Sequence, residues 1–267
     1  MTTPAGTPVV FVHGLWLHAE SWDRWIELFR EAGYAPSAPG WPGDADTIEE
    51  TRKDPQRVAG FGINDVVEHY IQVVRGLDAK PIVIGHSFGG LIVQRLLGEG
   101  HASAAVAIDP APMKGIIYLP PSALRVASVA LRNPANRKRA VSLTAKQFRY
   151  GFGNALPADE SDELYQRWTI PSPGKPLFEA AFANFSPQSA AKVDTKNATR
   201  GPLLLTAGGR DHTVPPAIPK ATLKRYRKSG AVTDFKAFPD RGHSLTIDHG
   251  WREVGDAVVS WLKERAL

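Results

Sequence analysis

The chain has 267 residues, 43% of them hydrophobic, no cysteine and a net charge of +5. That content can bury one sizeable core, and the lack of thiols excludes a disulfide framework or a thiolate metal site. The charge is mild, and the densest basic runs, RNPANRKR at 132–139 and KATLKRYRK at 220–228, are spaced as on exposed helix faces, which gives no reason for a nucleic-acid partner.

No window nears the roughly 18 uninterrupted apolar residues that a membrane span needs. The start MTTPAGTPVVFVHG lacks the basic and apolar regions of a secretory leader. The reading is a soluble, cytoplasmic protein acting on a small molecule, with no nucleic acid and no membrane as partner and its oligomeric state left open.

Strand and helix patterns then alternate along the chain, as in a mainly parallel sheet covered by helices. TPVVFVHG (7–14) is the first strand. AESWDRWIELFREAGY (19–34) follows at helical spacing, with Gly33 as its stop signal. APSAP (35–39) is a short strand and GINDVVEHYIQVVRGL (62–77) a second amphipathic helix. KPIVIGHS (80–87), FGGLIVQRLLGEG (88–100) and ASAAVAIDP (102–110) give strand, helix, strand. After a long interruption RGPLLLTAGGRD (200–211) and VTDFKAFPDRG (232–242) are two further strands, with helices at 218–230 and 249–267. Strands this uniformly apolar suit a sheet buried on both faces.

The interruption, residues 111–190, is too long for a structureless loop and predicts a small helical insertion, the rest (1–110 and 191–267) forming the core. It is rich in aromatics: Phe148, Tyr150, Phe152, Tyr165, Trp168, Phe178, Phe182 and Phe185. These hold the insertion together, and some of them are expected to wall an apolar pocket.

The segment IVIGHSFGG at 82–90 turns from strand to helix around Ser87, with Gly85 and Gly89 two residues to either side. A turn this tight forces the corner residue into a strained, positive-φ backbone and lifts its side chain clear. This G-x-S-x-G pattern is the nucleophile elbow. A serine hydroxyl is a poor nucleophile near neutral pH and needs a neutral imidazole and a carboxylate to activate it. Asp211 ends one later strand, in LLTAGGRDHTVPP, and His243 follows the last, in FPDRGHSLTID, so that all three candidates sit at carboxyl ends of strands.

Through VFVHGLW, VIGHSFGG, GGRDHTVPP and RGHSLTID, in order and at similar spacing, the chain resembles the α/β-hydrolase superfamily over nearly its whole length. It also resembles small bacterial esterases and sequences labelled cofactor-free haloperoxidases. The resemblance implies a parallel sheet flanked by helices, with 111–190 as a helical lid. It implies a Ser87, Asp211, His243 triad and an oxyanion hole made by the backbone N–H groups of Leu15 and Phe88. Because the first strand starts near residue 8, without the two-stranded extension many relatives carry, the sheet is expected to have about six strands. The activity implied is serine-dependent cleavage of carboxylic esters through an acyl-enzyme, with neither metal nor organic cofactor called for, and the aromatic content of the insertion points to small substrates with an apolar or aromatic portion. A lactonase, a perhydrolase, a carbon–carbon bond hydrolase and a non-catalytic receptor remain alternatives.

Among competing residues, Asp109 in VAIDPAP also ends a strand and is the second candidate for the acid, with capping the insertion as its other role. His86 is too near Ser87 in sequence to serve as its base, and His13 shapes the oxyanion turn. His212 and His249 neighbour the favoured positions. Trp16, Trp41 and Met113 follow strand ends and are candidates to line the pocket.

Overall fold

Side chains along a strand point alternately to opposite faces. In β1 (Pro8–Val12), Val9 and Phe11 face one way, Val10 and Val12 the other, and all four are buried. β3 (Ile82–His86) and β4 (Ala104–Ile108) are buried at every position. Such strands need a layer of helices on each side. The computed structural model, which describes residues 6–118 and 120–267, supplies both. Residues 1–5, on which part of the leader reading rests, lie outside the described residues.

One face is covered by α1 (Asp23–Glu31) and α10 (Trp251–Glu264), whose Trp25, Phe29, Val254 and Val258 pack with Phe11 and Trp22. The aromatics there interlock: Phe11 stacks on Trp22 at 4.9 Å and meets Phe29 edge-on at 5.2 Å. Full burial of each such side chain stabilises by ~1.5–3 kcal/mol. The other face takes α3 (Ile63–Arg75), α4 (Phe88–Gly98) and α9 (Ala217–Tyr226), through Val66, Tyr70, Leu91 and Ile218.

With β2 (Ala35–Ser37), β7 (Leu203–Gly208) and β8 (Thr233–Phe238) the sheet has six strands in the order β2-β1-β3-β4-β7-β8, every neighbouring pair parallel. The chain steps outward from β1 to β2, then returns to β3 on the other side. The loops after β1 and β3 therefore diverge around one crevice, where open α/β sheets bind ligands.

Between β4 and β7 lie α5 (Pro121–Leu131), α6 (Ala145–Gly151), α7 (Ala158–Trp168) and α8 (Lys175–Ala181). They are joined by an antiparallel ribbon of β5 (Ala140–Val141) and β6 (Ser172–Pro173). Among the described residues no helix is long and apolar enough to cross a membrane.

Three helices among the elements that differ from the sequence expectation have a local cause. α2 (Ile48–Lys53) is additional; its start is capped by the Thr47 hydroxyl, which accepts the Glu50 N–H at 3.2 Å, so T-x-x-E at 47–50 was a readable signal. The helix expected to reach residue 230 ends at Tyr226, because the Ser229 N–H turns back to the Tyr226 carbonyl and the Ser229 hydroxyl is drawn to the Asn197 carbonyl. The last helix starts at Trp251, where Asp248 takes the Gly250 and Trp251 N–H groups in a preceding turn.

Candidate active site

At the end of β3 the backbone of Ser87 has φ 56 and ψ −119, and its N–H donates to the Ile108 carbonyl of β4 at 2.9 Å. A non-glycine residue held there stores about 1–3 kcal/mol, which the flanking glycines make possible. A Cβ on Gly85 would lie 2.2 Å from the Gly89 carbonyl oxygen, and one on Gly89 2.0 Å from that of Val12. β3, α4 and β1 thus approach more closely than any larger residue allows.

The crevice brings the three sequence candidates together. His243 Nε2 lies 2.9 Å from Ser87 Oγ, and His243 Nδ1 lies 2.6 Å from Asp211 Oδ2. The other Asp211 oxygen accepts the Thr213 and Val214 N–H groups at 2.7 and 2.8 Å, which fixes the carboxylate. With Nδ1–H donating to that carboxylate, Nε2 is left to accept the serine hydroxyl.

All three side chains are buried. The His243 ring is walled by Phe152 edge-on at 4.7 Å and by His86 at 4.6 Å. Removal from water pushes both members of the ion-pair position toward neutrality: the His243 imidazole down to about 4, with Asp109 opposing, and the Asp211 carboxyl up to about 7, against its hydrogen bonds. One hydrogen bond joins them, so they titrate as a unit. At neutral pH the imidazole is uncharged. Burial, and then the His243 charge, also push His86 well below the usual histidine range, so the wall behind His243 is neutral too.

Asp109, the second candidate acid, lies next door. It ends β4 with φ 44, and both its oxygens accept the Gly208 N–H at 3.0 Å. Burial, reinforced by the neighbouring Asp211, raises its carboxyl well above the usual range. Asp109, Asp211 and His243 offer ligand-type atoms within 4.8 Å of one another. The Asp211 and His243 atoms are spent on each other and on Ser87, and Asp109 on Gly208, so the cluster is filled by its own hydrogen bonds.

Leu15 and Phe88 border the same cavity as Ser87, and a Cβ on Gly14 would lie 2.7 Å from Ser87 Cβ, so the loop after β1 rests against the elbow. That loop is held by the insertion. Trp16, at φ 66, donates its N–H to Ser172 Oγ at 2.6 Å and its indole N–H to the Val141 carbonyl at 3.0 Å, and its carbonyl accepts the Ile170 N–H at 3.0 Å. Sequence reasoning missed Ser172 because the two partners stand 156 residues apart with no local signal between them.

The cavity at Ser87 has a volume of about 120 Å³. Trp16 lines it. Trp41 and Met113, the other two candidates, do not border it. The Trp41 indole is turned onto His13, donating to its carbonyl at 3.0 Å, and Met113 is buried in the core beneath. The expectation of aromatic walls from the insertion is likewise corrected: the insertion contributes Ala127, Leu131, Leu177 and Ala181 among others, all aliphatic. Phe148 stacks on Phe152 at 5.0 Å in the insertion's core, Phe152 reaches the site only as the wall of the His243 ring and not of the cavity, and Phe182 and Phe185 point outward. Of the remaining histidines, His13 contacts Asp44 at 3.0 Å, His212 the Tyr150 carbonyl at 3.0 Å and His249 the Glu160 carboxylate at 2.9 Å, each away from Ser87.

A family model described as the alpha/beta hydrolase family matches residues 9–257. Solved structures with a similar fold include a monoacylglycerol lipase from Paleococcus ferrophilus at 23% identity, covering 97% of this chain and 96% of that one with a TM-score of 0.66. A methylesterase from Arabidopsis is 17% identical, covering 97% and 98% with a TM-score of 0.65. A thermophilic esterase from Thermogutta terrifontis is 18% identical, covering 98% and 91% with a TM-score of 0.67. At these identities the likeness is one of fold. Among curated proteins nothing matches the sequence. Six parallel strands in this order, matched by the family from residue 9 to residue 257, place the chain in the alpha/beta hydrolase family.

Proposed function

We propose that the protein is a serine hydrolase that cleaves carboxylic esters of small, apolar substrates through an acyl-enzyme, with residues 111–190 as a lid over the site. The observation that carries this reading is the unbroken hydrogen-bond line from Asp211 through His243 to Ser87, ending at an apolar cavity. Ser87 Oγ attacks the ester carbonyl as His243 Nε2 takes its proton, and the carbonyl π electrons move onto oxygen. The Leu15 and Phe88 N–H groups receive that oxyanion, a contribution of about 2.7–4 kcal/mol per donor in sites of this kind. His243 then protonates the departing alkoxide, and the ester C–O bond breaks. Water repeats the cycle on the acyl-enzyme and frees the acid. The family and the esterase and lipase names of the structural neighbours support the reaction type.

The cavity lining favours an uncharged aliphatic group on the substrate, since it holds no ionisable side chain. At about 120 Å³ it is somewhat smaller than the ~150 Å³ apolar cavity known to hold benzene. Each methylene buried is worth ~0.8 kcal/mol, so kcat/KM rises about fourfold per added CH₂ until the cavity is full. A panel of p-nitrophenyl esters checks this, with butyrate faster than acetate and a charged hemisuccinate slowest. Acetate outrunning every longer ester overturns the aliphatic assignment. Labelling with a fluorophosphonate tests the reaction type itself: modification at Ser87 is expected, and a label elsewhere, or none, refutes the nucleophile. Turnover of lactones in place of open esters by the labelled site moves the assignment to the lactonase alternative.

The pH dependence follows from the buried pair. Only a neutral imidazole with Nε2 free can accept the serine proton, so the protonated pair is inactive. The imidazole is pushed down to about 4 and the carboxyl up to about 7, so protonation of the pair falls between those values. kcat/KM is therefore expected to be level above pH 7 and to fall by a single-proton step between pH 7 and 4. Circular dichroism across the range separates this from acid unfolding. A folded enzyme with an unchanged rate at pH 4 contradicts the role of His243.

A further inference from the structure

An exposed apolar surface lies on the segments beside the cavity. Six large hydrophobic residues stand exposed among the described residues: Leu124, at 47%, lines the cavity, and Ile117 at 82%, Tyr118 at 55%, Phe182 at 60% and Phe185 at 84% stand on the segments that follow its lining residues Pro112 and Ala181. The sixth, Val232, precedes β8 at the amino edge of the sheet, on the opposite side. The rim is one structure. The Asn184 side chain accepts the Gly115 N–H at 2.6 Å and donates to the Ile116 carbonyl at 2.9 Å, tying the loop that carries Ile117 and Tyr118 to the turn that carries Phe182 and Phe185. Leu124 on α5 and Ala181 on α8 border the cavity itself. Exposed aromatic and aliphatic side chains gathered beside an opening are the kind of surface that marks a contact site.

The charge beside it says what kind of surface it meets. Between Asp109 and Asp159 the sequence holds eight Lys or Arg and no Asp or Glu. Arg125, Arg132 and Lys146 line a second cleft of about 300 Å³ on the adjoining side of α5, and none of the three forms an ion pair among the described residues. Arg125 keeps its guanidinium 3.9 Å above the Tyr150 ring. Helix α5 thus turns its apolar side to the cavity mouth and its cationic side to the neighbouring cleft. Apolar side chains flanked by unpaired cations match an anionic lipid surface, where the first enter the headgroup boundary and the second meet the phosphates.

We infer that the cavity rim and the basic side of α5 form a docking surface for an anionic lipid bilayer or micelle, so that the site takes its substrate from the lipid phase. The delivery of substrate rests on the hydrolase reading; the docking itself does not. Surface attachment of this kind needs no spanning helix. Because each cation near such a surface is worth about 1 kcal/mol, replacing two of them weakens binding roughly thirtyfold.

The test is sedimentation of the full chain with vesicles of equal parts phosphatidylcholine and phosphatidylglycerol, beside vesicles of phosphatidylcholine alone. The wild-type chain is expected to sediment with the anionic vesicles and to be released by salt. Arg125→Gln with Arg132→Gln should weaken this about thirtyfold, and Ile117→Ser with Phe185→Ser should abolish it, while both pairs keep the wild-type rate on soluble p-nitrophenyl butyrate and so are folded. Ser87→Ala should bind vesicles like the wild type, which separates a failure of docking from a failure of hydrolysis. The inference is overturned if the wild-type chain stays in the supernatant, if binding is indifferent to both pairs of substitutions, or if the chain is a dimer that Ile117→Ser with Phe185→Ser dissociates, which would assign the rim to a second copy.

Discussion

Ser87→Ala is expected to lower kcat for p-nitrophenyl butyrate roughly a millionfold, the loss seen when a triad nucleophile is removed from a serine hydrolase. The reason lies in the division of work. His243 has no second hydroxyl at 2.9 Å to activate, so its basicity is wasted, and only binding and the oxyanion donors remain. These are worth a residual 10³–10⁴ over the uncatalysed reaction. Folding should not suffer, because what holds the elbow is backbone: the Ser87 N–H to the Ile108 carbonyl, and the Leu91 and Ala111 N–H groups to the Ser87 carbonyl. Alanine removes one hydroxyl and keeps the same φ. The measurement is steady-state release of p-nitrophenolate with circular dichroism alongside. A loss of less than tenfold in a folded protein would remove Ser87 from the chemistry.

The second large effect separates two buried carboxyls. Asp211→Asn should reduce kcat about 10⁴-fold, because an amide next to Nδ1 favours the wrong imidazole tautomer and cannot offset the charge that forms on the ring. Asp109→Asn should cost less than about tenfold, on the scale of a single altered hydrogen bond. Asp109 is fully buried beside Asp211, and burial followed by that neighbour raises its carboxyl well above the usual range, which favours its neutral form. Asparagine has nearly the shape of a neutral aspartic acid and can still accept the Gly208 N–H now bound at 3.0 Å. Comparing kcat for the two variants decides the question. A 10⁴-fold loss at Asp109 with a small one at Asp211 would exchange their roles.

What the sequence disclosed and what it hid divide along physical lines. The elbow was legible because its constraints are local: Gly85, Ser87 and Gly89 are fixed by one turn and its immediate neighbours. The parallel sheet was legible because both-face burial leaves continuous apolar runs, as in β3 and β4. The cavity walls were not. Whether Phe148 or Leu131 faces the site depends on how four short helices pack, and an aromatic side chain in this insertion has two uses open to it. Phe148 went into the insertion's own core with Phe152 stacked between it and the His243 ring, and Phe182 and Phe185 went to the surface. Trp41 misled for a related reason: it follows a strand end, yet its indole N–H found a closer acceptor in the His13 carbonyl.

The grip of Ser172 on Trp16 has an implication for anyone recombining these chains. The loop beside the elbow borrows its shape from a segment that belongs, by sequence, to a different part of the polypeptide. Swapping insertions among relatives to alter substrate range would then carry off that anchorage along with the old walls. A chimaera lacking an equivalent hydroxyl is left with a well-formed scaffold whose loop has lost one of its moorings.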